Sequence, residues 1–224
     1  MKIDVLSLFP EYFKGPFDVS MVKRARESGA IDLRLIDIRD FAEGKHKRVD
    51  DRPYGGGPGM VLCPEPVAKA IRSVRTEKSR VVYLSPQGSV LNARKCETLA
   101  AYEHLVLLAG HYEGVDERVL QTEIDEEISI GDYVLTSGCA AAIVLVDAVI
   151  RFIPGVIGNP DAVREDSFEN GLFDAPQFTG PVVFEGRAVP ELLRSGNHAK
   201  IRQWRLAESY QKTSRVRPEL VHKK

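Results

Sequence analysis

The stretch Leu105-Val106-Leu107-Leu108-Ala109-Gly110-His111-Tyr112-Glu113-Gly114 joins five consecutive apolar residues to a loop that begins and ends with glycine. A short apolar run bounded by turn residues is typical of a strand that is buried on both faces of a parallel sheet. Comparable runs occur at residues 3–8, 31–38 and 81–84. We therefore predict buried strands in these segments, and the loop after Ala109 marks the end of one of them.

Segments with helical periodicity lie between these strands or follow them, at residues 65–75, 93–101, 116–123 and 140–152. Strands that alternate with helices indicate an α/β fold with a mainly parallel sheet. Ligands of such sheets bind at the carboxyl ends of the strands. Three loops leave predicted strand ends, at residues 85–88, 110–114 and 131–133 with 136–138, and we predict that they build one pocket.

Residues 50–60 (DDRPYGGGPGM) form a loop, because four glycines and two prolines in this segment exclude an ordinary helix or central strand. Glycine permits positive φ and lets another molecule approach backbone N–H groups closely. Arg52 and the basic run at residues 45–48 favour a polyanionic ligand. The composition fits a flexible surface turn equally well, so both interpretations stay open.

The composition is that of a soluble globular protein, with 224 residues, 43% hydrophobic and 28% charged. No apolar run reaches the roughly 18 residues of a membrane-spanning helix. Residues 1–8 carry an acid inside an apolar run, which favours a first strand over a signal peptide. Cys63, Cys96 and Cys139 are odd in number and far apart, which argues against a disulfide framework or a zinc site and fits the cytoplasm.

The net charge of −1 gives no reason to expect a nucleic acid, but the charges are unevenly distributed. From residue 187 onward the basic residues are Arg187, Arg194, Lys200, Arg202, Arg205, Lys212, Arg215, Arg217, Lys223 and Lys224, against Glu191, Glu208 and Glu219. Such a segment is either a solvated helix face or a phosphate-binding surface, for which Trp204 and Tyr210 offer stacking. The turn-rich residues 154–161 are a candidate linker, and we predict that a second, smaller unit starts near Ser167 and includes a helix at residues 198–213.

The motifs of several large enzyme classes are missing from the sequence. No Gly-x-Gly-x-x-Gly follows a predicted strand, and neither a P-loop nor a Gly-x-Ser-x-Gly elbow occurs. The sequence therefore gives no support to a standard dinucleotide site, a P-loop nucleotidase or a serine hydrolase.

Six segments, taken in order, resemble the bacterial tRNA (guanine-N1)-methyltransferase family, TrmD, of the SPOUT superfamily. They are DDRPYGGGPGM (50–60), YLSPQG (83–88), GHYEGVDER (110–118), IGDYVL (130–135), RFIPGV (151–156) and SGNHA (195–199). Each segment is weak alone, but their order and spacing match over nearly the whole chain. The resemblance implies a deep trefoil knot and an obligate homodimer whose active sites lie between the subunits.

The resemblance also implies the activity, which is transfer of a methyl group from S-adenosylmethionine to N1 of the guanosine at tRNA position 37. It implies a knotted, S-adenosylmethionine-binding catalytic domain at residues 1–157 and an interdomain linker at 158–166. A small, mostly helical tRNA-binding domain, shorter than is usual in the family, would occupy residues 167–224.

Site residues follow from the same resemblance. The implied cofactor-binding residues are Tyr83, Leu84, Ser85, Pro86, Gln87, Gly110, Ile130, Gly131, Asp132, Tyr133, Val134, Leu135 and Gly138. Asp166 matches the general base that takes the guanine N1 proton, and Arg151 matches the cation that stabilises negative charge on guanine O6. Glu113 adds a second carboxylate, and the family's reliance on Mg²⁺ makes Glu113 and Asp166 candidate metal ligands. The implied tRNA-binding residues are Arg52, Arg202 and Arg205. From the sequence alone, Asp166 reads as a helix cap before Ser167.

Several positions depart from the family pattern. His111 stands where arginine is usual, Cys139 and Ala140 replace a Glu-Pro pair after Gly138, and Gly180 replaces the arginine of a Thr-Arg-Pro motif. With the short carboxyl-terminal part, these departures predict a lower RNA affinity. Two alternatives stay open: a catalytically weak or silent RNA-binding relative, and a nucleotide-dependent enzyme acting on small molecules. The intact pocket loops count against the first, and the missing P-loop lysine counts against the second.

Overall fold

A computed structural model describes residues 1–221, with residues 160–162 described by their backbone alone. The chain divides into two compact units, one from Met1 to Gly158 and one that begins at Asn159. Lys223 and Lys224 of the predicted basic segment lie outside the described residues. No helix in residues 1–221 combines the length and the apolar character that a membrane span requires.

Strands and helices alternate through the larger unit. The strands are β1 (Lys2–Ser7), β2 (Asp32–Asp37), β3 (Asp50–Asp51), β4 (Val61–Leu62), β5 (Ser79–Val90), β6 (His104–Ala109) and β7 (Glu126–Ser129). The helices are α1 (Ser20–Glu27), α2 (Pro64–Val74), α3 (Ala93–Ala100), α4 (Glu117–Glu123) and α5 (Cys139–Ile150), with 3-10 turns at Pro10–Phe13 and Ile38–Phe41. Within residues 1–221, five of these strands form a parallel sheet in the order β2-β1-β6-β5-β7. The predicted α/β fold with a mainly parallel sheet is confirmed.

The apolar runs of the sequence arise because both faces of this sheet are covered. All six residues of β6 are buried, and successive side chains point to opposite faces. Leu105 and Leu107 pack in one core cluster with helices α1, α3 and α5, whereas Val106 and Leu108 pack in the other with α2 and α4. Burial of each large aliphatic side chain contributes about 1.5–3 kcal/mol, so the central strands hold the unit together.

Residues 85–88 do not leave the end of a strand, so this part of the loop prediction was wrong. They lie inside β5 as a bulge, because Leu84 and Ser89 both pair with Ile128 of β7. Pro86 has no N–H to offer a ladder and is tolerated in such a bulge. A Cβ atom at Gly88 would clash with the backbone of Glu127 and Ile128. Only glycine therefore lets the bulged chain pass so close to β7.

The smaller unit contains α6 (Pro160–Glu165), the antiparallel strands β8 (Val183–Phe184) and β9 (Arg187–Ala188), α7 (His198–Val216) and α8 (Pro218–Val221), with a 3-10 turn at Glu191–Arg194. The predicted helix at 198–213 is confirmed and begins after Asn197, whose side chain accepts a hydrogen bond from the backbone N–H of Lys200 at 3.1 Å. Thr213 is buried and ties α7 to the preceding chain, because its Oγ1 accepts a hydrogen bond from the backbone N–H of Phe173 at 2.8 Å.

Candidate functional site

A cleft lies beside the bulge of β5 and the carboxyl ends of β6 and β7, at the edge where a parallel sheet binds its ligands. Its lining residues are Tyr83, Leu84, Ser85, Pro86, Gly110, His111, Tyr112, Glu113, Gly114, Ile128, Ser129, Ile130, Gly131, Tyr133, Val134, Leu135, Thr136, Ser137, Gly138 and Ala141. The bulge of β5 and the two predicted loops therefore meet in one pocket, as the sequence predicts. Gln87 and Asp132, which were named as cofactor-binding residues, are not among the lining residues.

Two glycines, Gly110 and Gly138, allow two backbone segments to approach each other closely in the cleft. The backbone N–H of Gly138 donates a hydrogen bond to the carbonyl oxygen of Gly110 at 2.8 Å. A Cβ atom at Gly138 would lie 2.8 Å from the backbone nitrogen of Gly110. A Cβ atom at Gly110 would lie 2.9 Å from the ring of Tyr83. Both positions therefore need glycine to keep the end of β6 against the start of α5.

Tyr83 is the buried tyrosine in the wall of the cleft, whereas Tyr112 and Tyr133 are exposed. It is buried, and burial followed by the nearby charge of Glu127 raises the pKa of its hydroxyl to about 12. Tyr83 is therefore neutral at physiological pH and can act as a hydrogen-bonding wall rather than as a base.

The turn after β7 forms the outer rim of the cleft. Ser129 stabilises this turn, because its hydroxyl donates a hydrogen bond to the carbonyl oxygen of Gly131 at 2.9 Å and accepts one from the Gly131 N–H at 3.2 Å. Val134 is 82% exposed, and Tyr133 and Leu135 beside it are exposed too. Apolar side chains at a pocket mouth offer surface that an apolar part of a ligand can cover.

His111 lies in the cleft between two aromatic rings. Its ring centroid is 4.9 Å from that of Phe9 and 4.6 Å from that of Tyr112, in edge-on arrangements. Its Nδ1 atom is buried and has no hydrogen-bond partner within residues 1–221. Because such a buried polar atom costs about 1–3 kcal/mol, we expect a ligand or water to satisfy it.

The glycine-rich loop, residues 50–60, contacts the cleft through the carboxyl-terminal end of the loop. The backbone N–H of Glu113 donates to the carbonyl oxygen of Met60 at 2.9 Å, and the N–H of Leu62 donates to Gly114 at 2.9 Å. Gly59 has a φ of +79°, and a Cβ atom there would clash with the Glu113 side chain. This loop therefore packs directly on the carboxylate of Glu113, while Tyr54 near its tip is fully exposed.

The predicted catalytic residues lie in both units. Glu113 and Arg151 are exposed residues of the larger unit, and Arg151 directly follows α5. Asp166 directly follows α6 in the smaller unit and is half-buried, so the segment predicted as a linker contains a helix. In the part of the chain that the structure describes, no group of three His, Cys, Asp or Glu side chains is placed to hold a metal ion.

The predicted tRNA-binding residues are likewise divided between the units. Arg52 is exposed in the glycine-rich loop, whereas Arg202 and Arg205 lie on α7. Sequence reasoning missed Ile128 and Ser129 in the cleft because β7 was not predicted. Their signal was the alternation Ile128-Ser129-Ile130 after three acidic residues, which is weak by periodicity.

Comparison with known proteins gives consistent results. A family model described as tRNA (guanine-1)-methyltransferase TrmD matches residues 1–223. A protein of Protochlamydia amoebophila (strain UWE25), named tRNA (guanine-N(1)-)-methyltransferase, is 62% identical over 221 residues, which is 99% of this chain and 100% of that protein. A protein of the same name from Dictyoglomus turgidum is 52% identical over 223 residues, 100% of this chain and 91% of its own. One from Chlamydia trachomatis serovar D is 58% identical over 220 residues, and the match spans 98% of this chain but only 62% of that longer protein.

Proposed function

The chain belongs to the tRNA (guanine-1)-methyltransferase family, TrmD, and on this premise we propose that it methylates N1 of the guanosine at position 37 of tRNA. The family match over residues 1–223 is the observation that carries this function. Nothing in the described part of the chain favours the catalytically silent alternative. Because the substrate is tRNA, we place the enzyme in the cytoplasm.

The cleft at the bulge of β5 and the ends of β6 and β7 is the proposed site for the methyl donor, S-adenosylmethionine, which supplies an electrophilic methyl group. A purine fits between apolar walls such as Leu84, Ile130 and Leu135, while closely approached backbone at Gly110 and Gly138 offers fixed donors and acceptors. The cavity volume of about 180 Å³ is below the roughly 300–1,000 Å³ of most small-molecule sites. We therefore expect the exposed turn at residues 131–137 to shift when the donor binds.

The chemical step requires removal of the proton on guanine N1, since the protonated nitrogen is a poor nucleophile. Asp166 is the proposed general base, and Arg151 would stabilise the negative charge that develops on guanine O6. Glu113, beside the glycine-rich loop, adds a second carboxylate at the cleft. For Mg²⁺, Glu113 and Asp166 are the proposed ligands. Mg²⁺ commonly takes one or two carboxylates and completes its shell with water and phosphate oxygens, and we assign no step to it.

The proposal includes the knotted SPOUT fold and a homodimer. The passage of Gly88 across the backbone of β7 supports a crossing of the chain at this point. Helix α5 is apolar on nearly all sides, and Val144 on it is 46% exposed. A helix of this kind is normally covered, and a second copy of the chain is the proposed cover. The small, mostly helical unit from Asn159 onward is the proposed tRNA-binding domain.

The central test is methyl transfer by an Asp166→Asn variant. We expect its single-turnover rate at saturating unmodified tRNA to fall roughly 10²–10⁴-fold, because asparagine keeps the size of aspartate but cannot accept the proton. Its affinity for S-adenosylmethionine, measured by calorimetry, should stay the same. Asp32→Asn, which changes an exposed carboxylate at the amino end of β2, is the matched control and should keep the normal rate.

Two outcomes would contradict these assignments. A normal rate for Asp166→Asn would show that the base lies elsewhere, and Glu113 would become the next candidate. Equal methylation of tRNA with guanosine or adenosine at position 37 would contradict the proposed target itself.

A further inference from the structure

The smaller unit contains a cavity of its own, with a volume of about 650 Å³. This volume lies within the roughly 300–1,000 Å³ that is usual for small-molecule sites. One wall is the face of α7 that carries His198, Ile201, Arg202 and Arg205, which are spaced as neighbours on a helix surface. Segments before α7, including Phe178 and Arg194, form the rest of the wall.

The charge of this cavity is strongly positive. Arg194, Arg202 and Arg205 line it, and none of these side chains makes an ion pair or hydrogen bond within the described residues. Glu165 is the acidic residue of the lining. Arg217, outside the cavity, does pair with a neighbouring carboxylate, that of Glu219. Three guanidinium groups against one carboxylate around the cavity favour an anionic ligand, and guanidinium is well suited to phosphate.

An aromatic side chain lies next to these arginines. Phe178 is 48% exposed in the cavity wall. Its ring centroid lies 6.3 Å from that of Trp204, with an angle of 50° between the ring planes. Trp204 therefore supports the Phe178 ring while leaving part of it open. Phosphate-binding arginines combined with an open aromatic ring are the pattern by which proteins hold an unstacked nucleotide. An acidic peptide would use the arginines but would gain little from the ring.

We infer that this cavity is a subsite for one unstacked nucleotide of the RNA. Its phosphate contacts Arg194, Arg202 and Arg205, and its base stacks on Phe178. The inference rests on the proposed tRNA substrate and goes beyond it, because it assigns a base contact to a cavity whose lining residues all belong to the smaller unit.

The charge contribution is tested with two arginines of the same helix. Arg205 lines the cavity, whereas Arg215 is exposed on α7 and does not. Binding of unmodified tRNA to the full-length protein is measured over a range of salt concentrations. We expect Arg205→Gln to weaken binding about tenfold, the effect of losing one charge-assisted hydrogen bond, and to reduce the salt slope by roughly 0.7–0.9. Arg215→Gln should leave both quantities nearly unchanged. Equal losses in the two variants would overturn the subsite, because they would show that only total charge matters.

The stacking contribution is tested with two phenylalanines. Phe178→Leu should weaken tRNA binding roughly tenfold without changing the salt slope, since stacking is worth about 1–3 kcal/mol per base. Phe178→Tyr should restore the affinity. Phe184→Leu, at a residue that is 62% exposed and lies outside the cavity, should have no effect. Thermal unfolding and calorimetry with S-adenosylmethionine confirm that each variant is folded. Normal affinity of Phe178→Leu would overturn the subsite alone, whereas a protein that binds no tRNA would overturn the proposed function as well.

Discussion

Asp4 and His104 are buried at the amino end of the sheet, away from the cleft, and form a polar network with the exposed Arg34. Arg34 donates two hydrogen bonds of 2.7 Å to the Asp4 carboxylate, and His104 Nε2 lies 2.9 Å from Asp4 Oδ2. Burial alone would raise the pKa of Asp4, but the hydrogen bonds from Arg34 and His104 outweigh it and lower that pKa. Burial lowers the pKa of His104, and its hydrogen bond to Asp4 only partly offsets this effect.

The network predicts that stability falls as the solution becomes acidic. His104 has a folded pKa below its ordinary 6.5, so its destabilising effect sets in as pH falls below 6.5 and grows until the folded pKa is reached. Asp4 has a folded pKa below 3.8, so its contribution is present above 3.8 and is lost as pH falls through the folded pKa. We expect His104→Gln to abolish the loss of stability below pH 6.5, measured by urea unfolding over a range of pH. His46→Gln, at an exposed site, should retain this loss. An unchanged pH slope below 6.5 in His104→Gln would contradict the prediction.

At the scale of elements, the close approach of β6 and α5 leads to a second prediction, on cofactor binding. Gly138→Ala should weaken S-adenosylmethionine binding about tenfold or more, because the added Cβ would push the Gly110 backbone away from its position. The measurement is calorimetry on a variant whose circular dichroism shows that it is folded. Gly158→Ala is the matched control, since a Cβ atom there meets nothing within 4 Å. Normal cofactor affinity in Gly138→Ala would place the donor outside this cleft.

The elements that the sequence predicted correctly are those with two buried faces or a long apolar stripe, such as β1, β6 and α5. Helix α1 escaped prediction because Val22 and Ala25 are its buried residues, which leaves too little apolar pattern to recognise. Strand β7 escaped because it begins with two glutamates. Glu126 is accommodated at the sheet edge by ion pairs with Arg80 and Lys95, which no local pattern reveals. The same strand creates the bulge at residues 85–88, so that error followed from this omission.

At the scale of the whole molecule, the cleft was predictable because the ends of parallel strands meet at one edge of the sheet. The helix before Asp166 was not predictable, since the turn-rich composition at residues 154–161 indicates only a linker. The packing of Glu113 against Gly59 was equally unpredictable, because the two residues are far apart in the chain. Asp166 and Arg151 belong to different units, so no local pattern of the sequence links them.

The apolar surface of α5 leads to the last prediction, that the protein is a dimer. Light scattering should give twice the 24.9 kDa mass of the chain. Because Val144 is an exposed apolar residue of α5, Val144→Glu should place a charge in the proposed interface, shift the protein toward monomer and reduce methylation of tRNA. Val183→Glu, at an exposed valine of the smaller unit, should leave the mass unchanged. A monomer that methylates tRNA at the normal rate would contradict the dimer, since the proposed catalytic residues could then all come from one chain.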